Sequence, residues 1–331
     1  GSNTESFRIY INNIKQNRSL NIDTFLVDIT SSNTLIINGV YSYIEPNQLL
    51  VVGTEIVKVK SYKYSSTDKK TELEVERAYN QTPMTDLLKG DGVYSVEEFT
   101  MKVTNYQYSS KMDVMNNPFN VSFGSGYVRI LDNIKQWNML SNSIEKYNYS
   151  LYKTKIFIFE GYNDKVILTF KGYLKKVSFS KTISDKRQIT LNFVDQLGSY
   201  WTKDIIKKQF KKDTKLKDFL SELLKVPKEK IYFKYIDENE YPVIESIAMS
   251  SYSTYQEIIE ILSSNGIRIV FTPRGHLYVF SEVLGGSRLR SDIILDDVRN
   301  LTDISLTDDS QLVFNYGNIK YTRQFPYYDI D

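Results

Sequence analysis

Between residues 153 and 206 the chain alternates hydrophobic and polar positions in short blocks that predict a β-meander closing on a helix. Thr154–Phe159 and Val166–Leu174 are β-rich, and the four residues between them, Gly161-Tyr162-Asn163-Asp164, favour a hairpin connection. Arg187–Val194 then alternates strictly, so one face of the predicted strand is formed by Ile189, Leu191 and Phe193. At Asp195 the strand pattern ends and a helix is predicted to begin.

The first hundred residues predict a small all-β module. Phe7, Ile9 and Ile11 alternate with polar residues. Leu49–Lys60 is predicted to be a long strand, with Gly53 at a bulge or a tight turn. Glu72–Arg77 alternates again, and the glycine-containing segment after it is predicted to close the module.

From residue 206 the hydrophobic period changes to that of helices. One predicted helix is capped by Asp213 or Thr214 and ended by Pro227, and its apolar face consists of Leu216, Phe219, Leu220, Leu223 and Leu224. A second helix is predicted over residues 253–265, beginning at a capping box formed by Ser253 and Gln256. Ile267–Phe280 is predicted to form a hairpin.

Composition narrows the classes of function. The 331 residues suggest two or three domains, and the net charge of +2 gives no strong attraction to nucleic acid or anionic membrane. No apolar run approaches the roughly 18 residues of a membrane helix. The chain has no cysteine and one histidine, which weighs against thiol catalysis, disulfides and most metal chemistry. Gly1-Ser2 has the character of a cloning scar, and the sequence leaves open whether the chain is a fragment.

Part of the N-terminal module resembles a β module repeated across phage tail proteins. The matching order is the strand "GTEIVKV", a loop, "ELEVERAYNQT" and then "GDGVY". The repeated module usually reads "GEE", a strand, "V-RG-GT" and a histidine before "G-V". This chain departs from that pattern at Ala78-Tyr79-Asn80, where the family has glycines, and at Asp86-Leu87-Leu88, near the usual histidine.

Four later segments, in order, resemble the baseplate hub family of contractile phage tails and phage-like bacteriocins, of the PBSX type. That layout also occurs in the N-terminal part of tail-associated proteins of long non-contractile tails. The segments are "VTNYQYSSKMDVMNNPFNVSF" (103–123), "TKIFIFEGYNDKVILTFKGYLKKVSFS…QITLNFVDQLGSYW" (154–201), "TYQEIIEILSSNGIRIVFTPRGHLYVF" (254–280) and "NLTDISLTDDSQLVFNYGNIKY" (300–321). The last departs from the family in having Phe314-Asn315 where Val-Asn is usual.

The resemblance implies a β-dominated α+β fold with several domains. An all-β module (1–97) would precede a first β-barrel-like hub domain (98–205), a helical bridging region (206–252) and a second β-barrel-like hub domain (253–331). Three chains would form a ring that joins a sixfold tail tube to a threefold spike in the baseplate of a virion or phage-like particle made in the bacterial cytoplasm. The implied partners are the tube protein, the spike protein and other baseplate proteins.

The resemblance implies no catalytic residue, cofactor or metal, so the chain is predicted not to be an enzyme. The alternative is a receptor-binding or carbohydrate-binding tail protein that contacts the bacterial cell wall. A tail-associated lysin ranks third. Whether the tail is contractile, and whether the particle is a phage or a bacteriocin, stays open.

A run of lysines after the meander is the sharpest charge feature. A solvated helix face is the default interpretation, and the alternative is a positive lining of the ring's lumen, favouring the passage of DNA or tape-measure protein. The candidate lumen-facing residues are Lys203, Lys207, Lys208, Lys211 and Lys212, and the run continues to Lys215 and Lys217.

The remaining candidate sites have better structural interpretations. His276 follows a turn, and no nucleophile motif accompanies it. The acidic positions near the C-terminus lack EF-hand spacing; they are Asp292, Asp296, Asp297, Asp303, Asp308 and Asp309. Trp137 and Trp201 are predicted to pack in a core or an interface rather than to bind sugars.

Overall fold

The structure is a computed structural model in which two compact units are resolved. It describes residues 5–12, 24–39, 41, 44–109, 123–132, 149, 151–163, 165–181, 187–201, 214–234, 262 and 267–281. The first unit comprises residues 1–111, 123–202 and 271–276, and the second comprises residues 112–122, 203–270 and 277–331.

An antiparallel sheet dominates the first unit. Its described strands follow the order β2-β3-β6-β5-β4-β7-β1-β10-β11-β12-β9-β8. Their bounds are β1 Glu5–Asn12, β2 Leu26–Ser31, β3 Thr34–Asn38, β4 Leu49–Val52, β5 Glu55–Ser65, β6 Lys70–Glu76, β7 Val93–Glu98, β8 Val103–Ser109, β9 Ser125–Leu131, β10 Lys155–Tyr162, β11 Lys165–Lys181 and β12 Arg187–Val194. A short helix, α1 (Gln196–Trp201), follows β12.

The strands β2 to β7 curl around one hydrophobic core. The core is built from one face of each strand and includes Leu35, Val57 and Val75, all fully buried. The backbone N–H of Val93 donates to the carbonyl of Thr24 (2.9 Å), and the N–H of Leu26 donates to the carbonyl of Asp91 (2.9 Å). These bonds, with the antiparallel bridge between Phe25 and Gly92, bring the segment just before β7 against the segment that leads into β2.

The strands β8 to β12, together with β1, curl around a second core, and their curvature is visible in side-chain contacts. Tyr106 on β8 packs its ring 5.0 Å from that of Phe7 on β1. The hydroxyls of Tyr106 and Tyr108 both donate to Glu160 on β10. The edge strand β8 therefore lies across the core from β1 and β10.

The N-terminal strand β1 lies between the two groups and is buried on both faces. Its register pairs it with β7 on one side and β10 on the other. Ile9 and Ile11 enter the core of β8 to β12, whereas Tyr10 enters a third cluster with Phe157 and Phe159. The alternation of Phe7, Ile9 and Ile11 in the sequence predicts one buried face of β1. The opposite face, with Tyr10, is buried as well.

The predicted meander is confirmed. Strands β10 and β11 form the expected hairpin, β11 continues to residue 181, and β12 has the predicted bounds. The residues Ile189, Leu191 and Phe193 are at most 1% exposed. The helix predicted at Asp195 begins at Gln196.

The segment predicted as one long strand over Leu49–Lys60 forms two strands, and of the two alternatives predicted at Gly53, a bulge or a tight turn, the tight turn is confirmed. Strands β4 and β5 pair with each other through a tight turn at Gly53, whose φ of +60° lies in the left-handed region. Hydrophobic residues on both sides of the turn gave the appearance of one continuous strand.

In the second unit, α2 (Leu216–Leu224) buries the five predicted apolar residues. Thr214 is not the N-cap that was predicted as one alternative, because the N-cap residue is Lys215, which makes no side-chain cap bond. The other alternative, Asp213, lies outside the described residues. Strands β13 (Ile231–Lys234), β14 (Ile267–Phe271) and β15 (Leu277–Ser281) form a sheet in the order β13-β15-β14. The pairing of β13 with β15 is parallel and was not predicted.

The prediction of a β-dominated fold with few helices is confirmed for the described residues. No helix among them is long and apolar enough to cross a bilayer. The bounds of the four predicted domains stay predictions, and most of the second predicted helix lies outside the described residues.

Gly172 on β11 gives a direct test of the core packing. A Cβ atom at this position would lie 2.6 Å from the ring of Phe193, which is 1% exposed in the core. We expect Gly172→Ala to lower the free energy of unfolding by about 1–3 kcal/mol, as overpacking does, measured by urea titration. Ser178→Ala, on the outer face of the same strand, is the control. Equal stability of both variants would contradict the packing described.

Candidate functional site

The predicted lumen residues lie outside the described part of the chain. These are Lys203, Lys207, Lys208, Lys211 and Lys212, so their location stays a prediction. The end of the lysine run is described: Lys215 is exposed just before α2, and Lys217 is half-buried on it. The acidic C-terminal positions and Trp137 also lie outside the described residues.

His276 occupies the end of the turn between β14 and β15. Its backbone carbonyl accepts a bond from the N–H of Thr272 (2.9 Å), and its N–H donates to the Thr272 hydroxyl (3.2 Å). These contacts support the interpretation of His276 as a structural residue of the turn. Among the described residues no group of three or more His, Asp or Glu side chains could hold a metal ion.

The best-defined polar constellation in the described chain is a buried ion pair between Glu55 and Arg77. Two parallel bonds of 2.7 Å join the guanidinium to the two carboxylate oxygens. The Glu55 side chain is 0% exposed and that of Arg77 is 6% exposed. The pair links the start of β5 to the residue just after β6, and both residues belong to the N-terminal segments that resemble the tail-protein module.

The Glu55 carboxylate also binds the loop that follows β6. It accepts the backbone N–H of Ala78 (2.6 Å) and that of Thr85 (3.0 Å). Arg77 donates in turn to the carbonyls of Ser32 and Thr85. Burial alone would raise the pKa of Glu55, but its bonds from Arg77, Thr85 and Ala78 hold that pKa below its ordinary value. A carboxylate so fully engaged is suited to fixing loops.

In the turn after Arg77, three of four successive residues are non-glycine residues with a positive φ. Ala78, Asn80 and Gln81 have φ values of 53°, 51° and 69°. This is the stretch where the tail-protein module has glycines. Glycine adopts such left-handed geometry without strain, whereas this chain has larger residues at all three positions.

Two of these residues use their side chains to hold β1. The Asn80 amide donates to the Tyr10 hydroxyl (2.8 Å) and to Glu98 (3.0 Å). The Gln81 side-chain oxygen accepts from Arg8 (2.8 Å), which also pairs with Glu98 (2.8 Å). The strain of the turn is thus accompanied by contacts that glycine could not make.

A second buried ion pair lies beside the "GDGVY" segment in the first unit. Asp91 has a fully buried side chain and accepts two bonds from Arg274, of 3.1 and 2.7 Å. Asp91 also accepts the N–H of Leu88 (2.8 Å), and Arg274 donates to the carbonyl of Asp86. Leu87, near the family's usual histidine, is instead buried in the module's core.

Asp195 organises the exit from β12 into α1. Its two carboxylate oxygens accept the N–H of Gly124 (2.6 Å) and the N–H of Gly198 (2.7 Å). Burial raises the pKa of Asp195, and these backbone bonds oppose the increase. Asp195 therefore caps α1 and ties the start of β9 to it.

Two lysines on adjacent strands lie in the sheet interior rather than in water. Lys155 and Lys171 are 1% and 6% exposed. The ammonium of Lys155 lies 4.9 Å from the ring centroid of Tyr94 and 5.3 Å from that of Tyr173, and Lys171 lies within 6 Å of the same two rings. Cation–π attraction offsets part of the cost of burying the two charges.

Sequence reasoning missed these constellations for different reasons. Glu55 and Arg77 lie in the two segments that resemble the tail-protein module, and that resemblance was the only sequence signal for either residue. The Asp91–Arg274 pair joins residues 183 positions apart, and no local pattern predicts such a pairing. Lys155 and Lys171 break the hydrophobic alternation of their strands, which could have indicated buried charges.

No protein-family model and no curated protein matches the chain. Among solved structures it is similar to a tail protein from Neisseria meningitidis, at 14% identity over 53% of this chain and 44% of that one, with a TM-score of 0.34. It is also similar to the 43 kDa tail protein of prophage MuSo2 from Shewanella oneidensis, at 12% identity over 68% of this chain and 55% of that one, with a TM-score of 0.33. The chain thus spans about half the length of each, and both matches are too loose to establish a shared fold or function.

The ion pair of Glu55 predicts a pH-dependent stability. We expect Glu55→Gln to lower the free energy of unfolding by about 3 kcal/mol at pH 7, since Arg77 is left buried without its counter-charge. The pKa of Glu55 is lower in the folded than in the unfolded protein. The ionised Glu55 carboxylate therefore stabilises the fold fully above the unfolded pKa of about 4.3, and this stabilisation is lost as the pH falls through the folded pKa. The difference between wild type and variant should therefore shrink in acid.

Urea titrations of wild type and variant at pH 7 and at pH 3 measure the loss of stability at neutral pH and its decrease in acid. The exposed Glu74 on β6, which accepts a bond from Ser61, gives the control Glu74→Gln, expected to change stability by about 0.5 kcal/mol or less. A destabilisation by Glu55→Gln that is equal at both pH values would contradict the assignment.

The left-handed turn predicts a stabilising substitution. We expect Ala78→Gly to raise the free energy of unfolding by about 0.5–1 kcal/mol, because it removes the strain of a left-handed alanine at a smaller entropic cost. Asn80→Gly should instead lower stability by about 1 kcal/mol, since it loses the bonds to Tyr10 and Glu98. Thermal unfolding compares the two, and a destabilising Ala78→Gly would show that the turn has another conformation.

Proposed function

We propose that the protein is a structural component of a phage or phage-like tail, and specifically a baseplate hub. The observation that carries the proposal is the agreement between the resembling residues and their structural roles. Glu55 and Arg77 form the buried pair of the module, Gly172 makes room for a core ring, and Asp195 caps the helix. If the resemblance were accidental, these residues would not be expected to have structural roles of this kind.

The strand groups favour the architecture that the resemblance implies. The group β2 to β7 would belong to the all-β module, and the curled group β8 to β12 would belong to the first β-barrel-like hub domain. The helix α2 would lie in the helical bridging region (206–252), and the second hub domain would comprise residues 253–331. Two such domains per chain give six similar positions around a ring of three chains, which is the geometry needed to join a sixfold tube to a threefold spike.

The constellations of the first unit support a role in assembly. The Glu55 carboxylate has both oxygens engaged by at least two donors, and Asp195 serves backbone N–H groups. These groups fix loops and strand ends, which is what a scaffold requires. Several large apolar side chains are exposed, among them Met101 (97%), Tyr162 (58%) and Ile167 (57%), and could be covered by neighbouring tail proteins.

The oligomeric state tests the proposal. We expect light scattering to give a species of about 116 kDa, three times the 38.6 kDa chain, or a monomer–trimer equilibrium over a wide concentration range. A closed ring stops growing at three chains, so the plateau distinguishes it from non-specific association, whose mass rises continuously. A strict monomer at high concentration, or a stable dimer, would contradict the self-closing trimer.

A further inference from the structure

The Asn38-Gly39 pair at the end of β3 has a reactivity that the proposed function does not use. Asparagine is a thermolabile residue, and a glycine after it favours deamidation because no side chain hinders attack by the glycine nitrogen. The turn requires this glycine, since its φ is +90° and a Cβ atom on it would lie 2.9 Å from the ring of Tyr41. The fold therefore places next to Asn38 the residue type that makes Asn38 most reactive.

Hydrogen bonds hold both reacting groups away from each other in the folded protein. The side-chain oxygen of Asn38 accepts the backbone N–H of Phe25 (2.7 Å). The backbone N–H of Gly39 donates to the carbonyl of Lys69 (2.8 Å), and the Gly39 carbonyl accepts a bond from the Thr71 hydroxyl (2.8 Å). The carboxamide and the nitrogen that would attack it are thus both bound to other partners.

The bonds of Asn38 lead to an edge of the sheet. Phe25 is 42% exposed and directly precedes β2, the first strand in the described order. The pairing of β2 with β3 shifts register at two places. An exposed edge with interrupted pairing opens at a lower free energy than the buried core unfolds. An opening of this edge alone therefore releases the Asn38 side chain.

We propose that Asn38 is a deamidation site that the fold protects, and that opening of the β2 edge sets the rate of its conversion. In the open state the Gly39 nitrogen gives its proton to water and attacks the side-chain carbonyl carbon of Asn38. A carbon–nitrogen bond forms, the bond to the side-chain nitrogen breaks, and that nitrogen takes a proton from water and leaves as ammonia. Water then opens the cyclic imide at either carbonyl, giving aspartate or isoaspartate. The inference is independent of the proposed function.

The isoaspartate product changes the backbone where β3 ends. It adds one carbon atom to the main chain directly before Gly39, so the bonds from Gly39 to Lys69 and Thr71 cannot all keep their geometry. The β3–β6 register ends at the same place, with Asn38 opposite Lys70. Conversion of Asn38 is therefore expected to loosen the pairing of β3 with β6, and the change is irreversible because the ammonia is lost.

Peptide mapping of the full chain by mass spectrometry tests the proposal. In mildly alkaline buffer, wild type should convert Asn38 at least about tenfold more slowly than in concentrated urea, because unfolding breaks the bonds of both reacting groups. Asn33 is the internal control: it is exposed, but the branched side chain of Thr34 hinders attack, so in urea it should convert more slowly than Asn38. Equal rates at Asn38 in buffer and in urea, or an intact Asn38 in urea, would overturn the proposal.

A pair of variants tests the role of the sheet edge. Phe25→Pro removes the N–H that holds the Asn38 side chain, whereas the matched control Phe25→Ala keeps it. In buffer, Asn38 should convert at least about threefold faster in Phe25→Pro than in Phe25→Ala, as the loss of one hydrogen bond implies. Circular dichroism checks that both variants are folded, and equal rates in two folded variants would contradict the proposal.

Wild type in urea below its unfolding transition gives the same test without a substitution. The rate at Asn38 should rise before the global transition begins, because the edge opens on its own. A rate that rises only together with global unfolding would show that the β2 edge does not control the conversion.

Discussion

The insertion of β1 between β7 and β10 is the constraint on which the first unit depends. A strand at the very start of the chain pairs with residues about 85 and about 150 positions later, and its side chains enter two different cores. Without β1, the two curled strand groups would each present an open edge, and unpaired strand edges are prone to non-specific pairing. The turn after β6 stabilises the position of β1, because Asn80 donates to the Tyr10 hydroxyl and Gln81 accepts from Arg8.

Buried charges fix the loops around this framework. Glu55 and Arg77 bring a turn, a strand start and the Thr85 loop to one point, and an ion pair that is satisfied on all sides specifies one arrangement more strongly than apolar contacts do. The same pair lies where the chain resembles the tail-protein module, and residues that bind β1 stand where that module has glycines.

Local patterns predicted the local structure well. The strand β12, the β10–β11 hairpin and the apolar face of α2 follow from side-chain period alone, because each buries one face. At Gly53 the sequence left a bulge and a tight turn open, because the segments on both sides are hydrophobic. The central position of β1 was missed because pairing over such separations leaves no local signal. The Asp91–Arg274 pair was missed for the same reason.

The proposed function is geometric: strand groups of fixed shape, held by buried ion pairs, would be repeated around the axis of a ring. Electron microscopy of the purified oligomer, by class averages of single particles, tests that claim most directly. The account predicts closed rings of threefold symmetry with an outline close to sixfold and an open central channel. Open filaments, or compact particles without a channel, would contradict it.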